Sequence, residues 1–222
     1  MLFDHPQRLL PSDIEFQEIG SGQEVTRLCD AELQAVNGPL RRFLQRRIAF
    51  PVFRWLGLKG QGLDILEVGC GSGYGAVLLS RLKPKSYLGI DLMPEMIDLA
   101  LNRKGVPHAE FRLMDAADMR QIADASKDVV VIFDILHHIP RWREVLSECG
   151  RVLRAGGALF LEEPSTSAIR LCDSFFHWGH PTDAMFTWRE LEARLKDVGF
   201  TIKYRCRLWP FRSYCAVKTP QP

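Results

Sequence analysis

The stretch ILEVGCGSGYG, residues 65–75, decides the fold of this chain. Its apolar run ends at Val68, and three glycines follow at alternate positions, Gly69, Gly71 and Gly73. Glycines at the turn between a strand and a helix let the backbone bend sharply and approach a ligand closely. The stretch therefore predicts a buried strand, a ligand-binding turn and the start of a helix.

An acidic residue at the end of the next strand indicates the kind of ligand. The segment GIDL places Asp91 22 residues after Gly69, where a carboxylate can accept hydrogen bonds from both hydroxyls of a ribose. The glycines run GxGxG, with Tyr74 where a dinucleotide-binding turn needs a small residue, and Glu67 lies just before them. A pyrophosphate would be repelled by that carboxylate, whereas a cation would be attracted. We therefore expect a cationic nucleoside without phosphate, such as S-adenosylmethionine.

Short apolar runs alternate with helix-like segments from Leu63 onward. The run VVVIF in the fourth strand does not alternate in polarity, which is typical of a strand buried on both faces of a parallel sheet. The alternation predicts an α/β fold with a Rossmann-like, seven-stranded, mostly parallel sheet, helices on both faces and a C-terminal antiparallel hairpin. The predicted strands are Leu63–Val68, Ser86–Asp91, Ala109–Leu113, Lys127–Phe133 and Ala158–Glu163, followed by two around Trp209 and Pro210. The predicted helices are Gly73–Leu82, Pro94–Arg103, Arg141–Leu153 and Trp188–Val198.

Composition favours one soluble domain with a separate N-terminal piece. The chain has 222 residues, 46% hydrophobic and 25% charged, a balance typical of globular proteins. We expect an N-terminal helical cap segment over residues 1–60 and a ligand-binding domain over residues 61–222. The sequence shows neither a long apolar stretch nor the layout of a secretory signal, so we expect a cytoplasmic protein without stable membrane insertion.

The N-terminal segment, residues 38–58, is basic. No acidic residue lies between Glu32 and Asp64, while five arginines and Lys59 do. Leu40, Phe43, Leu44 and Ile48 follow helical spacing, and Pro51 is expected to interrupt the helix. A helix that covers the cofactor or substrate, peripheral contact with an anionic membrane, and a solvated basic face all fit this pattern. The net charge of +2 does not favour a nucleic-acid partner.

Five segments, in order and spacing, resemble the class I S-adenosylmethionine-dependent methyltransferases, particularly the group with small-molecule and quinone methyltransferases. They are LEVGCGSG, GIDLMPEMIDLA, LMDAAD, FDILHHI and LRAGGALFLEEP. The resemblance implies S-adenosyl-L-methionine as cofactor and in-line methyl transfer to a small-molecule acceptor, aromatic, quinone-like or lipid-like, at oxygen or carbon. Alternatives are a methyltransferase acting on protein or RNA, or a non-catalytic S-adenosylmethionine-binding protein.

The resemblance also implies which residues hold the cofactor. Glu67 would lie near its methionine portion, Asp91 would bind the ribose hydroxyls, and Asp115 would bind the adenine amino group. Asp118 is the alternative to Asp115 within its motif and could instead cap the following helix. The implied cofactor-binding set is Glu67, Gly69, Cys70, Gly71, Gly73, Asp91, Leu92, Met93, Asp115, Ala116, Phe133 and Asp134.

The residues that would contact the methyl acceptor are indicated less directly by the sequence. His137, in the loop that follows the fourth strand, is the candidate catalytic residue, either shaping the site or accepting a proton. Glu162 and Glu163 are consecutive in a strand and should point to opposite faces, so only one is expected in the site, and we favour Glu162. The candidate substrate-contacting residues are His138, Glu162, Phe176 and Trp178.

Metal binding is not expected from the sequence. His137 and His138 are adjacent, and His177 and His180 form a second pair in HWGH. Catalytic metal sites typically use three protein ligands, and neither pair has an evident third one along the chain. The sequence indicates neither the oligomeric state nor the identity of the acceptor.

Overall fold

The computed structural model describes residues 34–106, 108–176 and 180–220, and these contain a seven-stranded sheet. Its order is β3-β2-β1-β4-β5-β7-β6. The first five strands are parallel, and β7 pairs antiparallel with both β5 and β6. The predicted fold class is therefore confirmed. The strands are β1 (Asp64–Val68), β2 (Ser86–Asp91), β3 (Ala109–Leu113), β4 (Lys127–Phe133), β5 (Leu153–Pro164), β6 (Phe200–Leu208) and β7 (Phe211–Lys218).

Helices cover both faces of the sheet. The α-helices are α1 (Pro39–Leu44), α2 (Phe50–Trp55), α3 (Tyr74–Leu79), α4 (Pro94–Leu101), α5 (Trp142–Val152), α6 (Thr166–Phe176) and α7 (Trp188–Asp197). A 3₁₀ turn, Leu136–His138, follows β4, and a second 3₁₀ turn, Thr182–Ala184, lies between α6 and α7.

Alternate residues of the central strands supply two hydrophobic cores. Val130 and Ile132 of β4 face a core that includes residues of α5 and α7. Val129 and Val131 face a second core that includes residues of α2, α3 and α4. Burial on both faces explains why the VVVIF run shows no polar alternation.

The helical punctuation predicted from the sequence is largely present. Pro94 occupies the first turn of α4, and Thr187 and Glu190 form a complete capping box at the start of α7. Gly105 and Gly199 have positive φ angles of 83° and 85°, in the left-handed region, which glycine tolerates without steric strain.

Strand β5 begins at Leu153 rather than at the predicted Ala158, and two helical elements also differ from the predictions. The predicted interruption at Pro51 is wrong, because α1 and α2 are joined without a break by a π-helical turn, Gln45–Ala49. A π turn is wider than an α turn, which relieves the clash of a proline ring with the preceding turn. Helix α6 was not predicted, although its sequence is amphipathic; Ile169 is its buried residue, and Leu171, Phe175 and Phe176 are exposed. Within the described residues, no helix is long and apolar enough to cross a membrane.

Candidate functional site

A cavity of about 220 Å³ lies at the carboxyl edge of the sheet. Its walls come from the segments that follow β1, β2, β3 and β4, together with residues 36–45 and His180. The carboxyl ends of parallel strands meet at one edge, and ligands of open α/β sheets bind in the crevice there. The strand order therefore fixes which groups are neighbours along the cavity.

The glycine turn after β1 is held against β2 by Asp91. The carboxylate of Asp91 accepts hydrogen bonds from the backbone N–H groups of Gly71, at 2.8 Å, and Met93, at 3.0 Å. Burial raises the pKa of Asp91, and the amides of Met93 and Gly71 oppose that rise. Each carboxylate oxygen has a further lone pair, so Asp91 can still accept hydrogen bonds from a diol.

Gly71 leaves space beside Asp91. It has a φ of 50°, and a Cβ atom added there would meet no other atom within 4 Å. Gly73 serves packing instead: it has a φ of 76°, and an added Cβ would lie 2.9 Å from Phe111. The turn therefore needs glycine at Gly71 for its left-handed backbone, and at Gly73 for close contact of α3 with the sheet.

Glu67 is a buried carboxyl group in the cavity wall. It accepts a hydrogen bond of 2.5 Å from the Tyr87 hydroxyl. Burial raises the pKa of Glu67 to about 8, against the opposing effect of the Tyr87 hydrogen bond. In the absence of a nearby cation this group is therefore largely protonated at neutral pH, and a cationic ligand would favour its ionised form.

Gly75, which the sequence analysis quoted but did not assign, makes room for Glu67. A Cβ atom at Gly75 would lie 2.1 Å from Glu67 Oε1, far inside contact distance. The signal was present in the sequence as the last glycine of GSGYG, but only the folded structure shows what it faces.

Asp115 and Ala116 follow β3 and line the cavity, as do Leu92 and Met93 after β2. Asp115 Oδ1 accepts the Ala117 N–H at 2.8 Å, and Oδ2 lies 3.3 Å from Arg141. The alternative residue, Asp118, instead forms an exposed ion pair of 2.6 Å with Arg120. The geometry therefore favours Asp115 as the ligand-facing carboxylate of this motif.

Asp134 has an unusual backbone and an unsatisfied oxygen. Its φ is 61°, in the left-handed region that non-glycine residues seldom adopt. Its Oδ2 forms an ion pair of 3.0 Å with Arg41, while its buried Oδ1 has no hydrogen-bond partner within the described residues. A buried acceptor without a donor is costly, so Asp134 is suited to receive a donor or cation from a ligand.

Arg41 belongs to a group of cavity residues that the sequence analysis did not single out. It also donates a hydrogen bond of 3.1 Å to the carbonyl oxygen of Phe133, so α1 is fastened to the end of β4. The arginine-rich segment predicted a basic face, but not which arginine faces inward. The N-terminal residues that line the cavity are Val36, Asn37, Arg41 and Gln45.

Glu163 organises the histidine-bearing loop after β4. Its Oε1 accepts the N–H groups of Ile135, at 3.0 Å, and Leu136, at 2.8 Å. Its Oε2 lies 2.8 Å from Nδ1 of the buried His137. A carboxylate that already accepts two amide hydrogen bonds is an acceptor for the ring as well, so His137 carries its proton on Nδ1.

Three histidines gather at the cavity. His180 joins His137 and His138, with ring centroids separated by 4.1 to 5.3 Å. Burial, followed by the charges of His137 and His180, lowers the pKa of His138 to about 2, so that His138 is neutral at physiological pH. His180 is fixed by Asp173 of α6, whose Oδ1 lies 2.6 Å from its Nδ1.

The predicted substrate-contacting residues do not all come together. His138 lines the cavity. Glu162 is instead buried beside Ser213, which donates a hydrogen bond of 2.9 Å to it, because its side chain leaves β5 on the side away from Glu163. Phe176 is exposed on α6. Trp178 lies outside the described residues.

The cavity as a whole fits a cationic nucleoside. Asp91 ends β2, Glu67 lies within β1, and Asp115 and Asp134 follow β3 and β4, so carboxyl groups run along the edge in strand order. The space at Gly71 and the unsatisfied Oδ1 of Asp134 are both compatible with such a ligand. Cys70 and Phe133 complete the lining that the sequence predicted.

The comparisons with known proteins agree with this geometry. Residues 66–161 match the family model described as "Methyltransferase domain". The phthiotriol/phenolphthiotriol dimycocerosates methyltransferase of Mycobacterium leprae is 43% identical over 99 residues, which are 44% of this chain and 36% of the relative. The fatty-acid O-methyltransferase of Mycolicibacterium smegmatis is 39% identical over 98 residues, 44% of this chain and 35% of the relative.

A solved structure extends the similarity to most of the fold. A SAM-dependent methyltransferase from Aquifex aeolicus has a TM-score of 0.69 and 19% identity, covering 87% of this chain and 100% of that one. At this identity the likeness establishes the shared fold. The aligned region spans little more than a third of the length of the two curated relatives named above.

Proposed function

We propose that this chain is a class I S-adenosylmethionine-dependent methyltransferase that methylates a lipid-like hydroxyl or carboxyl group, because residues 66–161 match a methyltransferase-domain family model. The observation that carries the proposal is the row of carboxyl groups from Asp115 to Asp134 beside the open glycine turn. That row suits the nucleoside, amino-acid and sulfonium parts of one cofactor.

The residues of this chain would hold the cofactor in strand order. Asp115 would bind the adenine, Asp91 the ribose, and Glu67 and Asp134 the cationic end. S-adenosylmethionine, when bound, supplies a methyl group activated by a sulfonium centre. The protein must then align the acceptor and exclude water.

We place the methyl acceptor beyond Asp134, on the β5 side of the cavity. β4 lies between β1 and β5, so His137 and His138 lie beyond Asp134 on the side away from Asp91. With its proton on Nδ1 facing Glu163, His137 keeps a lone pair on Nε2. That nitrogen is our candidate for contact with the acceptor oxygen.

A lipid-like acceptor is supported by two observations. The two curated relatives carry names that refer to dimycocerosates and fatty acids. The two helices that contribute Arg41 and Asp173 to the site also display exposed apolar side chains. These are Leu40 and Phe43 on α1, and Leu171, Phe175 and Phe176 on α6.

Cofactor binding can be tested by calorimetry with S-adenosylmethionine and NAD. Asp91→Ala should weaken S-adenosylmethionine binding by roughly 10- to 150-fold, since hydrogen bonds to a charged group contribute about 1.5–3 kcal/mol. Asp98→Ala, on the exposed face of α4, is the matched control and should bind like the wild type. Equal affinity of the Asp91 variant would remove the ribose assignment, and binding of NAD alone would overturn the cofactor.

The acceptor can be identified by transfer of a tritiated methyl group. Fatty acids, long-chain diols, quinols, RNA and protein would be incubated with the enzyme in parallel, with Asp91→Ala as the background control. We expect label in the lipid hydroxyl or carboxyl compounds. Label confined to RNA or protein would reject the small-molecule acceptor, and no label in any fraction would favour a non-catalytic binding protein.

A further inference from the structure

The strongest unassigned feature is the cluster of His137, His138 and His180. One possible ligand nitrogen from each lies within 4.8 Å of the corresponding nitrogens of the other two. His137 and His138 belong to the loop after β4, whereas His180 precedes the 3₁₀ turn Thr182–Ala184. The expectation of no metal rested on the lack of a third nearby ligand, and that premise does not hold in the folded chain.

Two carboxylates orient the cluster. Glu163 Oε2 lies 2.8 Å from Nδ1 of His137, and Asp173 Oδ1 lies 2.6 Å from Nδ1 of His180. Both rings are well covered, with side-chain exposures of 7% and 4%. Because a carboxylate accepts rather than donates, each ring directs an Nδ1–H group toward its carboxylate.

This arrangement matches the outer shell of known metal sites. A metal-binding histidine almost always donates its other N–H to a carboxylate, a backbone carbonyl or water, which fixes the tautomer and orients the ring. A cation placed among these nitrogens would be bound by all three rings.

We propose that His137, His138 and His180 bind one divalent transition-metal ion of the Zn²⁺ class. Neutral imidazole suits Zn²⁺, Co²⁺ and Ni²⁺ better than the hard cations Mg²⁺ and Ca²⁺, which prefer oxygen. Three protein ligands leave a fourth position open, which suits a water molecule or an acceptor oxygen. The ion would occupy the His137 nitrogen proposed above to contact the acceptor, so in the metal-bound protein the acceptor oxygen would meet the ion's open position instead. Only that role rests on the proposed function.

The required rearrangement is small. Zn–N bonds of about 2.0–2.1 Å place tetrahedral ligands about 3.4 Å apart, so side-chain rotations would bring the nitrogens together. A second group, Asp134, His137 and Glu163, also satisfies the 4.8 Å spacing. Its carboxylates are already engaged with Arg41 and with the amides of Ile135 and Leu136, which makes it the weaker candidate.

Metal content can be measured directly on full-length protein after removal of any histidine tag. The protein would be incubated with Zn²⁺ or Co²⁺, gel-filtered and analysed by plasma mass spectrometry, with visible absorption recorded for Co²⁺. His180→Asn removes the ring while keeping a donor for Asp173, and His108→Asn, at an exposed histidine, is the matched control. Asp173→Asn tests the outer carboxylate.

We expect about one bound ion per chain in the wild type and in His108→Asn. The bound metal content of His180→Asn should be at least tenfold lower. Asp173→Asn should bind roughly 10- to 100-fold more weakly, as for other outer-shell changes. Wild-type protein that retains no ion, or His180→Asn that binds as the wild type does, would overturn the site. Calorimetry with S-adenosylmethionine on the same samples separates this outcome from failure of the proposed function.

Discussion

Glu67 illustrates how one residue is adjusted for a charged ligand. It is buried with Tyr87, and Gly75 is needed to leave space for it. Its raised pKa means that the empty site holds a proton where the bound site would hold a cation. Release of a proton and binding of a cationic ligand are therefore linked at this residue.

The linkage predicts how cofactor affinity changes with pH. Because the pKa of Glu67 is about 8 in the free protein, binding of a cation below that pH releases a proton. The affinity of wild-type protein for S-adenosylmethionine should rise from pH 6 to pH 8, by up to about tenfold per unit. Calorimetry in buffers of different ionisation enthalpy measures the released proton, and a Glu67→Gln variant should release less and bind more weakly.

Stability should change in the opposite direction. The folded-state pKa of Glu67 lies above its ordinary value of 4.5, so the folded state binds more protons between these pH values. The free energy of unfolding therefore falls as pH rises from about 4.5 to 8, by at most about 1.4 kcal/mol per unit from this group. Glu162, with a pKa raised to about 7, contributes in the same direction. The free energy of unfolding, measured by urea denaturation at several pH values, should fall less steeply with pH in Glu67→Gln than in the wild type. An unchanged dependence on pH would contradict the raised pKa of Glu67.

At the scale of elements, the loop after β4 depends on the end of β5. Glu163 is fully buried and accepts two backbone amides and the ring of His137. The loop therefore has its hydrogen bonds satisfied by a neighbouring strand, which holds the histidines in place. Glu162, which the sequence analysis favoured, lies on the opposite face of β5 and accepts a hydrogen bond from the Ser213 hydroxyl. The alternation of side chains along a strand correctly predicted that the two glutamates point to opposite faces. Which of them points toward the histidine loop depended on the neighbouring strands.

Glu163→Gln should disturb this loop more than Glu162→Gln. An amide group at position 163 places a donor against either the backbone N–H groups or His137, at a cost of about 1–3 kcal/mol in the free energy of unfolding. Urea denaturation measures that loss, and ¹⁵N NMR of the imidazole rings reports whether His137 moves its proton from Nδ1. The Glu162 variant is the matched control and should keep the tautomer; an unchanged tautomer in both variants would contradict the role of Glu163.

At the scale of the whole molecule, helices α1 and α6 bring residues from opposite parts of the chain to one cavity. Arg41 of α1 reaches Asp134, and Asp173 of α6 holds His180 beside His137. The predicted boundary between a cap segment at residues 1–60 and the domain at 61–222 stays a prediction. Val36, Asn37, Arg41 and Gln45, all before that boundary, line the cavity together with the domain's own loops.

The sequence by itself determined the features that depend on local pattern. The glycine turn, the positions of β2 and β4, the capping box of α7 and the acidic residues at strand ends were all predicted from spacing and residue type. These features are local because a turn, a cap and a buried strand each impose their own residue preferences. The family resemblance rests on the same segments.

Only the tertiary structure decided which distant residues meet. It placed β7 between β5 and β6, directed Arg41 inward, and added His180 to a pair more than 40 residues earlier in the chain. Such contacts arise from packing between elements, and residues far apart in sequence show no periodicity that predicts their meeting. The cofactor half of the site could therefore be predicted from local motifs, while the three-histidine cluster required the fold.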